Sequence, residues 1–299
     1  MDNFRDRIIK EFGLSGFKFF RETIWSSSLQ RADLARIRNF LSKNNFNNID
    51  VSLVVPQDDK TFRMRWSTHY QTSGQCISLM HQVPIPAESN NLKLTFCYPS
   101  SEMRHEGRAE TIVIGNALRL VFGVPVVREL IMTSFFSADE EPACHSDEGY
   151  ASFFDTQSLN MFDSPAIEGA ELIKIPEEAA FLLDKAFAQK FPSERFILMW
   201  LAFEALTHSV IEKGSNGEKR KRFFKDILKS DIANDEVKRL FDLRCAIFKE
   251  GRALDKHIEN DSWSLYAALQ LLIMKDCEQR RAFLAGYENT VKERVSPDT

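Results

Sequence analysis

Residues 213 to 229 carry seven basic side chains, Lys213, Lys219, Arg220, Lys221, Arg222, Lys225 and Lys229, against two acids, Glu218 and Asp226. This local excess of positive charge stands in a chain whose formal net charge is -4. Clusters of this kind attract nucleic-acid phosphates with an affinity that falls as salt rises. A solvated helix face, or pairing with an acidic stretch elsewhere in the chain, is the plainer account of the same residues. Phe223 and Phe224 interrupt the run, and their helical placement favours anchoring in a core over stacking on bases. Residues 139 to 163 have the opposite character, with seven acids and no Lys or Arg. They read as an acidic loop or as a docking surface for something basic.

Other chemistry finds little support. The sequence contains no G-x-x-x-x-G-K-[ST], no G-x-G-x-x-G after a strand, no H-E-x-x-H and no G-x-S-x-G. His105-Glu106 is followed by Gly107-Arg108-Ala109, so the second metal-binding histidine of a zincin is missing. Six scattered histidines do not form a metal centre, and Cys144–His145 is adjacent but isolated. The five cysteines, Cys76, Cys97, Cys144, Cys245 and Cys277, never form a C-x-x-C pair. They fit reduced thiols in a cytoplasmic protein. No cofactor and no metal are expected. No run approaches the ~18 apolar residues of a membrane span, and the charged stretch Met1 to Lys10 does not suggest a secretory signal.

The elements that must carry these residues fall into two textures that meet near residues 164 to 176. With 299 residues, 43% hydrophobic content and 25 Phe, the chain has material for a large core, and disorder is excluded. Before the seam, Val51 to Val55, Thr61 to Trp66 and Leu92 to Tyr98 read as strands ending at turn formers. Ala109 to Phe122 reads as a helix and Val126 to Phe135 as a further strand. Arg31 to Lys43 reads as a surface helix with Leu34, Ile37 and Leu41 on one stripe. After the seam everything reads helical. Helices are predicted from Pro176-Glu177-Glu178, from Pro192 to about Lys213, over Glu218 to Lys229, over Asn234 to Phe248, and from about Trp263 to Tyr287. Short links between amphipathic helices argue for an up-and-down bundle. The expected fold is therefore α+β: a mixed α/β domain over 1–170, followed by an all-α bundle over 171–299.

Two segments of the helical half carry a resemblance. Phe196-Ile197-Leu198-Met199-Trp200-Leu201-Ala202-Phe203-Glu204-Ala205-Leu206 has a tryptophan and a central glutamate. About 40 residues later comes Leu240-Phe241-Asp242-Leu243-Arg244-Cys245-Ala246-Ile247-Phe248-Lys249-Glu250-Gly251. Together they resemble HEPN domains, especially the ApeA-like branch of prokaryotic antiviral defence proteins, over roughly residues 177 to 288. The resemblance implies a helical bundle that forms a homodimer or pairs with another HEPN-containing subunit. It also implies an Arg-x4-6-His motif that cleaves RNA without metal. Arg244 takes the arginine position and Glu204 that of the internal acid. The histidine position holds Lys249, or Glu250 with a slip of one residue.

In that reading Arg244 meets phosphate with its planar fork, Glu204 orients it and Lys249 is the altered partner. RNA self-cleavage needs a group that moves protons near neutral pH. Lysine begins near about 10.4, far above histidine at about 6.5. His208, four residues after Glu204 and on the same helix face, is the candidate replacement, with a satisfied core histidine as the plainer role. Lys219, Arg220, Lys221, Arg222 and Lys225 become candidate RNA contacts. A buried Arg244–Glu204 ion pair would instead make the arginine structural. Two function classes remain: an RNA-directed effector or RNA-binding component, active as an endoribonuclease or not, and a degenerate module for dimerisation, assembly or sensing.

Overall fold

A computed structural model of the chain describes residues 2–13, 16–70, 76–101, 103–138, 143–145, 167, 169–189, 191–250 and 258–295. Nearly all of the acidic stretch at 139–163, and His257, lie outside them. The fold is α+β with a helical C-terminal part. The chain forms two compact units: residues to Thr111 together with those from Pro125 to 145, and Ile112–Val124 together with the residues from 167 onward. A single cut at 170 therefore misassigns the second half of one helix.

In the first unit, α1 (Asp2–Gly13) precedes β1 (Phe19–Ser26), then α2 (Leu34–Lys43), β2 (Ile49–Val54), β3 (Lys60–Tyr70), β4 (Cys76–Ile85) and β5 (Asn91–Tyr98). Helix α3 (Met103–Phe122) follows, then β6 (Leu130–Ser137) and β7 (Ala143–His145). The main sheet is antiparallel with order β2-β5-β1-β6-β7, and β3–β4 is a separate hairpin. Strand β1 at the centre of the main sheet escapes sequence reading because Arg21-Glu22-Thr23 interrupts its apolar pattern. Cross-strand neighbours meet both charges: the Arg21 guanidinium lies over the Phe135 ring at 4.1 Å, and Lys93 Nζ meets Glu22 Oε1 at 3.0 Å. On the opposite face from Arg21, Phe20 stacks on its register partner Phe136 at 5.0 Å, and Ile8 of α1 packs on both.

The second unit contains the C-terminal half of α3 and helices α4 (Glu177–Phe187), α5 (Pro192–Val210), α6 (Asn216–Lys221), α7 (Asp231–Glu250), α8 (Ile258–Ile273) and α9 (Glu278–Val295). A π-helical turn, Arg222–Ile227, extends α6. Helix α8 is buried from Asp261 through Ile273, so the others pack around it. Sequence periodicity predicts α8 and α9 as one helix, and the structure corrects this. Leu172 and Met274 form an antiparallel bridge, with Ile173 N–H donating to Ile273 O and Lys275 N–H to Glu171 O, each at 2.8 Å. That pairing takes backbone groups a continuing helix would have used.

Helix α6 begins at Asn216, earlier than the predicted Glu218, because Ser215 and Glu218 form a reciprocal capping box. Gly214 before it has φ +110°, a conformation L side chains rarely adopt. Phe223 and Phe224 are core residues, with Phe224 stacked on Phe203 at 6.0 Å.

Two polar networks fix the bundle. Arg119 of α3 donates to Asp184 of α4 at 2.6 Å, with both side chains 1% exposed. Nearby, the Asn116 amide reaches Ala180 O, and Tyr266 and Gln270 of α8 donate to the terminal carbonyls of Arg119 and Leu120. In the second network, buried Glu236 of α7 accepts from Arg239 at 2.7 and 2.8 Å and from Ser264 of α8 at 2.6 Å. Burial alone would raise the Glu236 carboxyl, but these donors carry it below its ordinary 4.5.

Removing one partner of a buried ion pair leaves an uncompensated charge, so Asp184→Ala is expected to cost about 3–5 kcal/mol in urea unfolding. A loss under 1 kcal/mol would show that Arg119 finds other support. Because the folded Glu236 value is depressed, its contribution is full above about 4.5 and fades as pH falls through the lower folded value. Glu236→Gln should therefore flatten the acid limb of a stability-versus-pH curve, which an unchanged limb would refute.

Candidate functional site

The residues singled out by sequence gather where α5, α6 and α7 meet, with a different pairing from the expected one. Glu204 pairs with Arg220, Oε1 to Nη1 at 3.2 Å, rather than with Arg244. The Arg220 side chain is 10% exposed, and its guanidinium lies 4.4 Å from the Phe241 ring centroid and 5.4 Å from that of Trp200. It is a cross-link among three helices. One turn further along α5, His208 Nδ1 lies 2.6 Å from Lys219 Nζ. An ammonium has only N–H to give, so Lys219 is the donor in this contact. Lys219 is 3% exposed while His208 is exposed. The space enclosed by Glu204, His208, Lys219 and Arg220 admits no water.

The basic segment therefore divides. Lys219 and Arg220, expected as RNA contacts, are buried cross-links, because α6 turns that edge onto α5 and α7. Lys221 and Arg222 point outward, and Lys225 is exposed but paired with Asp231 at 2.7 Å. The segment does not form one continuous basic face.

Arg244 is partly buried on α7 with no carboxylate partner among the described residues. Its guanidinium lies 4.7 Å from the Phe248 ring centroid, its Nη1 is 4.0 Å from Cys245 Sγ, and its buried Nε has no hydrogen-bond partner. Burial pulls Arg220 below the ordinary arginine range; Glu204 opposes that and the Arg244 charge adds to it. Two guanidinium groups thus lie close enough to feel each other, and Glu204 is committed to one of them.

Lys249 does not join the cluster. Helix α7 continues unbroken to Glu250. At 3.6 residues per turn, a five-residue step rotates Lys249 by about 140° away from Arg244. It is exposed at the helix end. Phe248, four residues after Arg244 and 55% exposed, is the neighbour the sequence reading missed; the i,i+4 spacing is the signal that finds it. Among the described residues, no group of three or more His, Cys, Asp or Glu could hold a metal ion, and no helix is long and apolar enough to cross a membrane.

No protein-family model, curated protein or solved structure matches the chain.

The geometry separates the two arginines in a testable way. Arg220→Ala should cost about 2–4 kcal/mol in urea unfolding, and Arg220→Lys should rescue little, because an ammonium lacks the planar fork. Arg244→Ala should cost under about 1 kcal/mol, as expected for a cation without a carboxylate. Equal losses at the two positions would make Arg244 a structural residue.

Proposed function

We propose that the helical unit is a HEPN-like RNA-binding module, an RNA-directed component of the kind used in prokaryotic antiviral defence, and that Arg244 contacts the phosphate backbone. The observation that carries this reading is the unneutralised charge of Arg244. Among the described residues, five arginines of the same unit meet carboxylates: Arg119 with Asp184, Arg220 with Glu204, Arg239 with Glu236 and Asp261, Arg280 with Asp276, and Arg294 with Glu236. Among the described residues, Arg244 has a ring and a thiol beside it and no carboxylate. A planar guanidinium suits phosphate oxygens in paired hydrogen bonds. Exposed Lys221 and Arg222 supply further positive charge on α6 and the turn after it.

Binding fits better than cleavage. The motif's second position is a lysine rotated away from Arg244, and His208 has one ring nitrogen engaged by Lys219. Neither stands with Arg244 as an acid–base pair for a 2′-hydroxyl attack. One observation favours a second reading, in which the unit pairs with a copy of itself or with another HEPN-containing subunit: the exposed Phe248 ring beside Arg244. An apolar ring backed by a cation suits a protein contact as well as a base.

The test is fluorescence anisotropy of the full chain with labelled single-stranded RNA from 50 to 200 mM salt. Affinity is expected to fall with salt, and Arg244→Ala to weaken binding about ten-fold, reduce the salt slope by about one contact and cost under about 1 kcal/mol in unfolding. Salt-independent affinity, with Arg244→Ala changing only the sedimentation coefficient, would replace this reading with the assembly one. RNA cleavage in EDTA that Arg244→Ala removes would make the module a nuclease.

A further inference from the structure

We infer that the cleft between α6 and α7 is a subsite for one ribonucleotide of single-stranded RNA, continuous with Arg244. The inference rests on the RNA reading above and specifies what is bound. The cleft measures about 420 Å³, within the range of small-molecule sites. Lys221 and Lys238 line it, and neither has a carboxylate partner among the described residues. Asn234, Asp235 and Asp242 bring hydrogen-bonding oxygens and an amide, and Phe241 offers an aromatic wall already backed by Arg220.

This mixture selects its ligand. Two lysines attract a phosphate, but two aspartates in the same cleft oppose a di- or triphosphate, whose extra charges they would repel. The aspartate oxygens instead accept from ribose hydroxyls and base amino groups, the 2′-hydroxyl included. A nucleotide carrying a single phosphate satisfies both sets.

The position along α7 extends the site. Val237, Phe241, Arg244 and Phe248 follow i, i+4, i+7 and i+11 spacing and share one helix stripe. The stripe runs from the cleft past Arg244 to the exposed Phe248 ring over ~16 Å. A splayed single strand can lay one nucleotide in the cleft, the next phosphate on Arg244 and a base on Phe248. A duplex presents no free base face to that ring.

The experiment uses the full chain, a fluorescein-labelled unstructured RNA heptamer, and AMP, ADP and blunt RNA duplex as competitors. Lys221→Gln combined with Lys238→Gln is expected to weaken heptamer binding about ten-fold and to abolish competition by AMP. Phe248→Ala should weaken the heptamer about five-fold or more while leaving AMP competition unchanged. If the double lysine variant binds like wild type while Arg244→Ala does not, the cleft is not the subsite and the RNA reading stands without it. Stronger competition by ADP than by AMP, or by duplex than by heptamer, overturns the ligand assignment. A wild-type chain that binds no heptamer overturns the subsite and the RNA reading together.

Discussion

The Arg220 guanidinium is the constraint on which the candidate site depends. It is half of an ion pair with Glu204 and it lies against two aromatic rings, Phe241 and Trp200. A guanidinium is weakly hydrated and planar, so it can be buried against rings at less cost than an ammonium, provided one carboxylate answers its charge. That single group fixes α6 against α5 and sets the face that α7 turns to solvent. The capping box at Ser215 and the left-handed Gly214 start α6 where Arg220 can reach inward. Without that start, the basic residues would sit at different angles.

The commitment of Glu204 to Arg220 has a second effect, on Arg244. In the alternative that made Arg244 structural, the acid of α5 and the arginine of α7 would have neutralised one another. With Glu204 taken, Arg244 keeps its charge near another cation and beside an aromatic ring. A site that stores positive charge at a helix surface attracts an anion by ordinary electrostatics, with no further assumption about family.

Much of the fold was legible in the sequence and part of the site was not, for identifiable reasons. The helical C-terminal part follows from Pro176 and Pro192 at helix starts, the Gly214 break and three-to-four apolar spacing, all of them local signals. The joint between α8 and α9 is not local: Met274 leaves the helix because Leu172, about a hundred residues earlier, offers a backbone partner. Strand β1 was hidden because the charges of Arg21 and Glu22 are met by the Phe135 ring and by Lys93, which only tertiary pairing supplies. The inward direction of Lys219 and Arg220 has the same origin. A run of cations reads as a surface unless the acid and rings that receive it are known, and Glu204, Trp200 and Phe241 lie on other helices.

The helix around Arg244 also decides what the substitution at Lys249 means. A histidine at that position would lie on the same unbroken α7, rotated from Arg244 by the same angle of about 140°. Within one chain, the two positions therefore face different sides of α7 whichever residue occupies the second. In the proposed reading, Lys249 would matter to a site shared between two copies and not to the affinity of one chain. In the proposed reading, RNA affinity would rest on Arg244 and its stripe, and cleavage on a facing subunit with a proton carrier. Lys249 would then bear on the second and not on the first, so binding would not require a histidine at that position.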